Sequence, residues 1–446
     1  MAMIGIELVD AAVVAVRDGV RLASSPGIAL VDPAGLVVGE AAAASARLKP
    51  VIANDRFWSD LSVDALARTA EPQVSHADLV HAHLVSLWQQ VAGPGDEAVL
   101  AVPGSMRLHQ VGLALGIARQ AGIPVAGVVD AAVAACAGLA ARASVLHLDV
   151  QLHQAVLTEL HGATILRRRR VEIAPRAGQK VMYSAWAQLV SEAMVRRTRF
   201  DPLHQAATEQ QLYLRLPDWL ATLANQESID IAIETDGGTF NATLRREQFT
   251  LAAEAWYAQL AQLAHVGHRA DESVTLVLSA RASVLPTLGE RLSALPGLEL
   301  VILPDTAAAA GAVERAAEIG PGEPPALVTA LSRSHAASAA VKRRGALAAP
   351  THVIQDGKAH AIDERPLVIG QGAGDGRRIA LSGPGAGISH VHCTLQRRAG
   401  TVVVRDHSRH GTFVNGERVE GEATLGAGDR LRVGTPGVAL ELVTVG

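Results

Sequence analysis

Side chains able to do chemistry are spread along this chain of 446 residues, and few of them stand at spacings that chemistry requires. Ser105, in Pro103-Gly104-Ser105-Met106, falls at an expected strand-to-helix turn, where a nucleophile would sit. The second glycine of a Gly-x-Ser-x-Gly elbow is missing, so a helix N-cap is its expected role. Seventeen histidines invite a metal reading. His76, His81 and His83 lie near one another, as do His390 and His392. On a helix 81 and 83 point to different faces, and neither set has a cysteine or carboxylate at ligand spacing, so no metal is expected. Five tryptophans stand singly and read as core anchors. The densest polar run lies near the C-terminus: Gly387-Ile-Ser389-His-Val-His392, then Asp406-His-Ser408-Arg-His410-Gly411-Thr412-Phe-Val-Asn415-Gly416. Gly-rich turns punctuate it, and short alternating apolar stretches flank it.

A Ser-x-x-His turn followed by Gly-Thr-x-x-Asn-Gly resembles the forkhead-associated (FHA) domain, a β-sandwich whose loops bind phosphothreonine peptides. The resemblance covers about a quarter of the chain and makes recognition of a protein partner the leading reading. It implies that Ser389 gives its hydroxyl to phosphate. It also implies that His392 braces the loop, and that Gly411, Thr412, Asn415 and Gly416 complete the binding turn. Two positions depart from the pattern. The family's Gly-Arg pair is Gly370-Gln371 here, so an amide replaces a charged fork. The asparagine that grips the peptide backbone falls at His410. A charged hydrogen bond is worth roughly 1.5–3 kcal/mol, so losing the arginine alone would weaken binding by about one or two powers of ten. Either Arg377, Arg378 or Arg409 replaces that charge, or the domain docks partners without phosphate. The first is favoured, because Ser389 has no structural need to be serine.

Composition bounds the rest. The length suits two or three domains. With 49% hydrophobic and 19% charged residues the chain can bury large cores. A net charge of −4 gives no reason to expect nucleic acid or an anionic membrane. The one basic cluster, Arg167 to Arg170, reads as the solvated end of a strand or hairpin. Two isolated thiols, Cys136 and Cys393, argue for a reducing compartment. Glu7 and Asp10 stand where a secretory signal would need basic residues, and the longest Ala/Val stretch, 123–139, is too short to span a bilayer. A cytoplasmic protein is expected.

Small residues, serines and a closing proline mark residues 326–350 as a linker. Beyond it, over 351–446, the pattern is β throughout. Before it, strands alternate with helices, and two segments run in phase: 99–130 and 274–305. Each ends in an aspartate, Asp130 or Asp305, followed by a run of small residues. This is a repeat in architecture more than in letters, and it suggests two related α/β halves.

Two such halves, in this order and spacing, resemble the actin and heat-shock chaperone ATPase superfamily, with lobes at about 1–143 and 144–325. That resemblance makes 4–16 and 145–160 the two phosphate hairpins and 274–288 the adenosine strand and loop. It makes the helices after Asp130 and Asp305 the place where the lobes approach closely. The motifs depart from the family. Asp-x-Gly-Thr becomes Glu7-Leu8-Val9-Asp10, with a branched side chain in the turn and a carboxylate where phosphate would sit. Asp-x-Gly becomes Asp149-Val150-Gln151, and the adenosine glycine pair becomes Ala280-Arg281. Three lost glycines read as an abandoned nucleotide site. Asp236-Gly237-Gly238-Thr239 fits the motif by letter but lies between two alternating stretches, as an ordinary hairpin turn.

The expected protein is therefore multidomain: an α/β two-lobed, actin-like pseudo-ATPase at 1–325, a linker, and an all-β FHA sandwich. It is expected to be a non-catalytic adaptor for a protein partner, Thr-phosphorylated in the favoured reading, with no cofactor; ATP with magnesium is disfavoured. The competing readings are a nucleotide-driven switch and an actin-type filament former.

Overall fold

The computed structural model describes residues 2–66, 73–139, 142–224, 226–266, 274–295, 297–320, 325–333, 350–355, 358–372, 376–381, 387–398, 401–414, 417–419, 421–425, 430–435 and 437–443. The chain divides into two compact units, 1–342 and 343–446.

The N-terminal unit opens with β1 (Met3–Leu8), β2 (Val13–Arg17) and β3 (Val20–Ser25), a meander of antiparallel strands. A small sheet of β4 (Ala29–Asp32), β5 (Gly35–Val38) and β6 (Ala53–Asn54) follows, with α1 (Glu40–Ala43) between the last two. After α2 (His76–Val91) come β7 (Glu97–Val102), α3 (Leu108–Gln120), β8 (Val125–Asp130) and α4 (Ala131–Cys136). The second half repeats the plan: a meander of β9 (Ser144–Val150), β10 (Gln154–His161) and β11 (Ile165–Pro175). An insertion follows, made of α5 (Gln179–Thr198), α6 (Ala206–Leu223), the hairpin β12 (Ser228–Thr235) and β13 (Gly238–Arg245), α7 (Arg246–Ala252) and α8 (Glu254–Val266). Then come β14 (Val274–Leu278), α9 (Ala280–Ser283), α10 (Leu288–Ser293), β15 (Leu298–Ile302), α11 (Ala307–Glu314) and α12 (Ala316–Ile319).

The two main sheets have strand orders β8-β7-β1-β2-β3 and β15-β14-β9-β10-β11, the same path walked twice. Runs such as Glu97–Val102, buried on both faces, explain why these strands read as continuous apolar stretches. The in-phase segments of the sequence thus occupy equivalent places. One expected helix, over 285–295, begins only at Leu288. Pro286 supplies no amide to an earlier turn, and Thr287 takes a positive φ of 61°. Asp236-Gly237 is the two-residue turn of the β12–β13 hairpin, and the motif fit by letter has no other role there.

The expected linker starts too early. β16 (Leu327–Val328) adds to the outer edge of β8, and β17 (Ala330–Ser332) adds to β11 in the other sheet. Short strands of small residues carry too little periodicity to be read from sequence, and the neighbouring strands decide them. Most of the remaining linker reading, residues 334–349, lies outside the described residues.

α4 and α11 pack between the two sheets. Their small residues are required: a Cβ on Gly311 would lie 2.1 Å from the carbonyl oxygen of Ala134. Among the described residues no helix is long and apolar enough to cross a membrane.

The C-terminal unit is a sandwich. Its strands are β18 (His352–Gln355), β19 (Lys358–Ala361), β20 (Leu367–Gly370), β21 (Arg378–Ala380), β22 (Cys393–Arg398), β23 (Thr401–Asp406), β24 (Thr412–Val414), β25 (Glu417–Arg418), β26 (Glu422–Leu425), β27 (Arg430–Val433) and β28 (Val438–Val443). One sheet runs β19-β18-β28-β27-β24-β25, the other β21-β20-β22-β23-β26. Val353, Ile369, Leu395, Val404, Leu431 and Leu442 fill the space between them.

Candidate functional sites

In the sandwich, three loops are tied together by backbone and by one buried histidine. Gly370 ends β20 where the 389–390 backbone crosses it; a Cβ there would sit 2.1 Å from the carbonyl oxygen of His390. The Gln371 amide donates to the carbonyl of Ser389 (3.0 Å). His392 is fully buried. Its Nδ1 accepts the Ser389 amide (3.0 Å), so the proton sits on Nε2, which donates to the carbonyl of Gly411 (3.0 Å). The imidazole thus bolts the serine loop to the 406–411 loop. Gly387 meets the second loop too, with the His410 ring 3.2 Å from its Cβ position.

On this frame Ser389 is half-buried, and its hydroxyl has no partner among the described residues. Arg378 reaches the next residue of the same loop. Its guanidinium donates to the carbonyl of His390, to the carbonyl of Gln371 (3.4 Å) and toward His390 Nδ1 (3.2 Å). Its buried Nε–H is unsatisfied. A charged fork is therefore held between residues 371 and 390, next to the position that Gln371 left without charge. Gln371 itself is exposed. Arg409 and His410 are exposed at the tip of the neighbouring loop, and Arg409 makes no ion pair among the described residues.

Two expected contacts do not join this site. Arg377 turns away from it, to the Asp363 carboxylate and the carbonyls of Ala361 and Arg365 (3.1 Å to the last). Thr412 is fully buried, and its hydroxyl donates to Asp406 Oδ1 (2.8 Å). The same carboxylate accepts the Ser408 amide (3.1 Å), so Thr412 shapes the loop from inside. Strand alternation sends neighbouring arginines to opposite sides, and spacing alone does not say which side holds the loops. Asn415 and Gly416 lie outside the described residues.

In the N-terminal unit the turns after β1 and β9, the two hairpins assigned to phosphates by the resemblance, face each other. Glu7, Asp10, Asp149 and Gln151 are all buried. Arg281, at the start of α9, lies between the turns. It donates from Nε and Nη2 to both oxygens of Asp149 (3.1 Å each) and from Nη2 to Glu7 (2.7 Å). Burial opposes ionisation of Asp149, but the Arg281 charge and hydrogen bonds outweigh it and hold the carboxyl below its usual range. Burial raises the Glu7 carboxyl, because Arg281 offsets only part of its desolvation. Asp10 reaches from the first turn to the second, where the Leu152 amide donates to its Oδ1 (2.8 Å). Its Oδ2 is buried without a partner, and burial raises its pKa. Ser105 is not the N-cap of α3. Its hydroxyl donates to Gln151 (3.3 Å), tying that side chain in place.

A nucleotide with magnesium would need free amides and free carboxylates. Here Asp10 takes the Leu152 amide and Arg281 takes both carboxylates. The residues present do not fit that ligand.

Two further ion pairs link the halves in matching places. Each meander carries a register shift, at Ala15/Val16 and at Glu159/Leu160, and the partner just past it is an arginine: Arg21 opposite Val16, Arg168 opposite Leu160. Arg168 donates to Asp130 (2.8 Å), a fully buried carboxylate that also caps α4 through the Val133 amide (3.1 Å). Arg21 pairs with Asp305, ahead of α11. The arginine cluster begins at the hairpin end of β11, where Arg167, Arg169 and Arg170 are exposed, and only Arg168 is turned across the halves. The paired aspartates of the repeat hinted at this; their partners gave no signal.

Among the described residues, no group of three or more His, Cys, Asp or Glu is placed to hold a metal ion. His83 is buried, accepts the Trp58 indole N–H at Nδ1 (3.0 Å) and sits 2.7 Å from the Ser25 hydroxyl through Nε2. The first bond leaves the proton on Nε2, so the ring cannot take a proton from Ser25, and the pair is structural.

The family model of the FHA domain matches residues 367–434, the span that holds Ser389, Arg378 and the loops around them. No curated protein matches the chain. The C-terminal unit thus carries an FHA domain, a protein-interaction module that binds phosphothreonine, and this supports an adaptor role.

Proposed function

We propose that the chain is a non-catalytic adaptor that recruits a Thr-phosphorylated protein through its C-terminal sandwich. One observation carries the reading. A serine hydroxyl with no partner among the described residues sits on a braced loop, and the Arg378 guanidinium is held on the carbonyl of the next residue, His390. Ser389 donates to phosphate, and Arg378 supplies the charge that Gln371 lacks, with Arg409 and His410 at the rim. The N-terminal unit is read as an actin-like pseudo-ATPase: its repeated sheet order supports the likeness, and its filled cleft supports the loss of nucleotide. The cytoplasm suits its two buried thiols.

Fluorescence anisotropy with a phosphothreonine peptide library, and the same library unphosphorylated, tests the recognition reading. Phosphorylated peptides should bind selectively, and Ser389→Ala should abolish the selectivity. Equal affinity for both libraries would leave the sandwich as a phosphate-independent docking module.

A further inference from the structure

Two of the contacts that fill the N-terminal cleft cross it, Arg281 to Glu7 and the Leu152 amide to Asp10. Glu7 and Asp10 belong to the first half; Asp149, Leu152 and Arg281 belong to the second. Arg281 spends one guanidinium on carboxylates from both halves. Asp10 spends one oxygen on an amide of the opposite turn and leaves the other buried and unpaired. A buried orphan oxygen is costly, and a carboxylate in that turn brings its own half no compensating bond. Its gain comes only when the halves meet. The pairs Arg168–Asp130 and Arg21–Asp305 behave alike, each arginine reaching from its own meander to the aspartate ahead of the other half's inner helix.

We propose that Arg281 and Asp10 are resident ligands of this cleft, a cation and an anion supplied by the chain itself, which hold the two halves closed without nucleotide. The inference rests on the pseudo-ATPase reading and adds its mechanism. A bound metal–anion complex would bridge the halves by placing positive charge against Glu7 and Asp149 and negative charge against the amide of Leu152. Arg281 and Asp10 place the same signs in the same places, covalently attached and always present. Apolar packing between α4 and α11 also holds the halves together, but it places no charge in the cleft. Directional buried ion pairs form only in one arrangement, and so select it.

The proposal makes a vacated carboxylate pair the test. Arg281→Ala leaves Glu7 and Asp149 facing each other across a hole, which a small divalent cation can enter. Mn²⁺ binding, followed by the loss of its free paramagnetic resonance signal, should tighten at least tenfold in Arg281→Ala relative to the parent chain. Adding Glu7→Gln should remove the gain. Arg281→Ala should also melt lower, and Mn²⁺ should restore part of the loss. If Arg281→Ala melts like the parent and gains no Mn²⁺, the latch is wrong. Should that variant fail to fold, the combined Glu7→Gln, Asp149→Asn, Arg281→Met chain decides. Met keeps much of the arginine's volume and none of its charge, so a lower melting temperature or collapse supports the latch, and melting at the parent's temperature would mean that the charges hold nothing. Magnesium-ATP added to the parent is the separate control. A rise in its melting temperature would sink the pseudo-ATPase reading, whatever the variants do.

Discussion

Arg377 and Arg378 are neighbours in sequence, and the structure assigns them opposite fates. Arg378 is held by the carbonyls of Gln371 and His390, the second of these one residue past Ser389. Arg377 is spent on Asp363 and on the carbonyls of Ala361 and Arg365. A charged hydrogen bond to phosphate is worth about 1.5–3 kcal/mol, so Arg378→Ala should weaken phosphopeptide binding by roughly 10- to 150-fold. Arg378→Lys should recover part of this, because an ammonium keeps the charge but loses the fork. Arg377→Ala should leave affinity within about threefold, since mutation away from a binding group acts weakly on it. Anisotropy titrations at low and high salt would measure all three, and the penalty for Arg378→Ala should shrink as salt screens the charge. Unphosphorylated peptide should be indifferent to every one of them. The reasoning fails if Arg377→Ala and Arg378→Ala cost the same, or if Arg378→Ala costs nothing.

Other tests address stability. Burial lowers the His83 pKa from 6.5 to about 4, so the fold prefers the neutral ring. The stabilisation is complete above pH 6.5 and is lost as pH falls toward 4. At about 1.36 kcal/mol per pH unit, it amounts to roughly 3 kcal/mol. Urea unfolding of the N-terminal unit should weaken over that window, and His83→Gln should flatten the dependence; an unchanged slope would refute the assignment. For the cross-half pairs, Arg168→Met strands the fully buried Asp130 and should cost about 3–5 kcal/mol. Arg21→Met, at an exposed pair, should cost under about 1 kcal/mol. Denaturant midpoints that put the two losses level would show that burial does not set their worth.

The sandwich was legible in sequence because its turn chemistry is local. Ser389, His392 and Gly411 stand at spacings that one loop and its neighbour impose, and glycine at 370 answers to a backbone crossing two strands away. The repeat was legible for a similar reason: sheet order follows from the order of apolar runs, and each run ends at an aspartate. What needed the tertiary structure was every partner across a gap. Ala280-Arg281 read as a lost glycine pair, when Arg281 is the cation of the cleft. Asp10 read as repulsion toward an absent phosphate, when its carboxylate accepts the Leu152 amide of the opposite turn. Arg377 and Arg378 were indistinguishable by spacing, and Arg168 was one of four arginines in a row. Local motifs record what a residue's near neighbours require, but a charge is committed by whichever opposite charge the fold brings within about 3 Å, and that depends on chain segments well outside the motif.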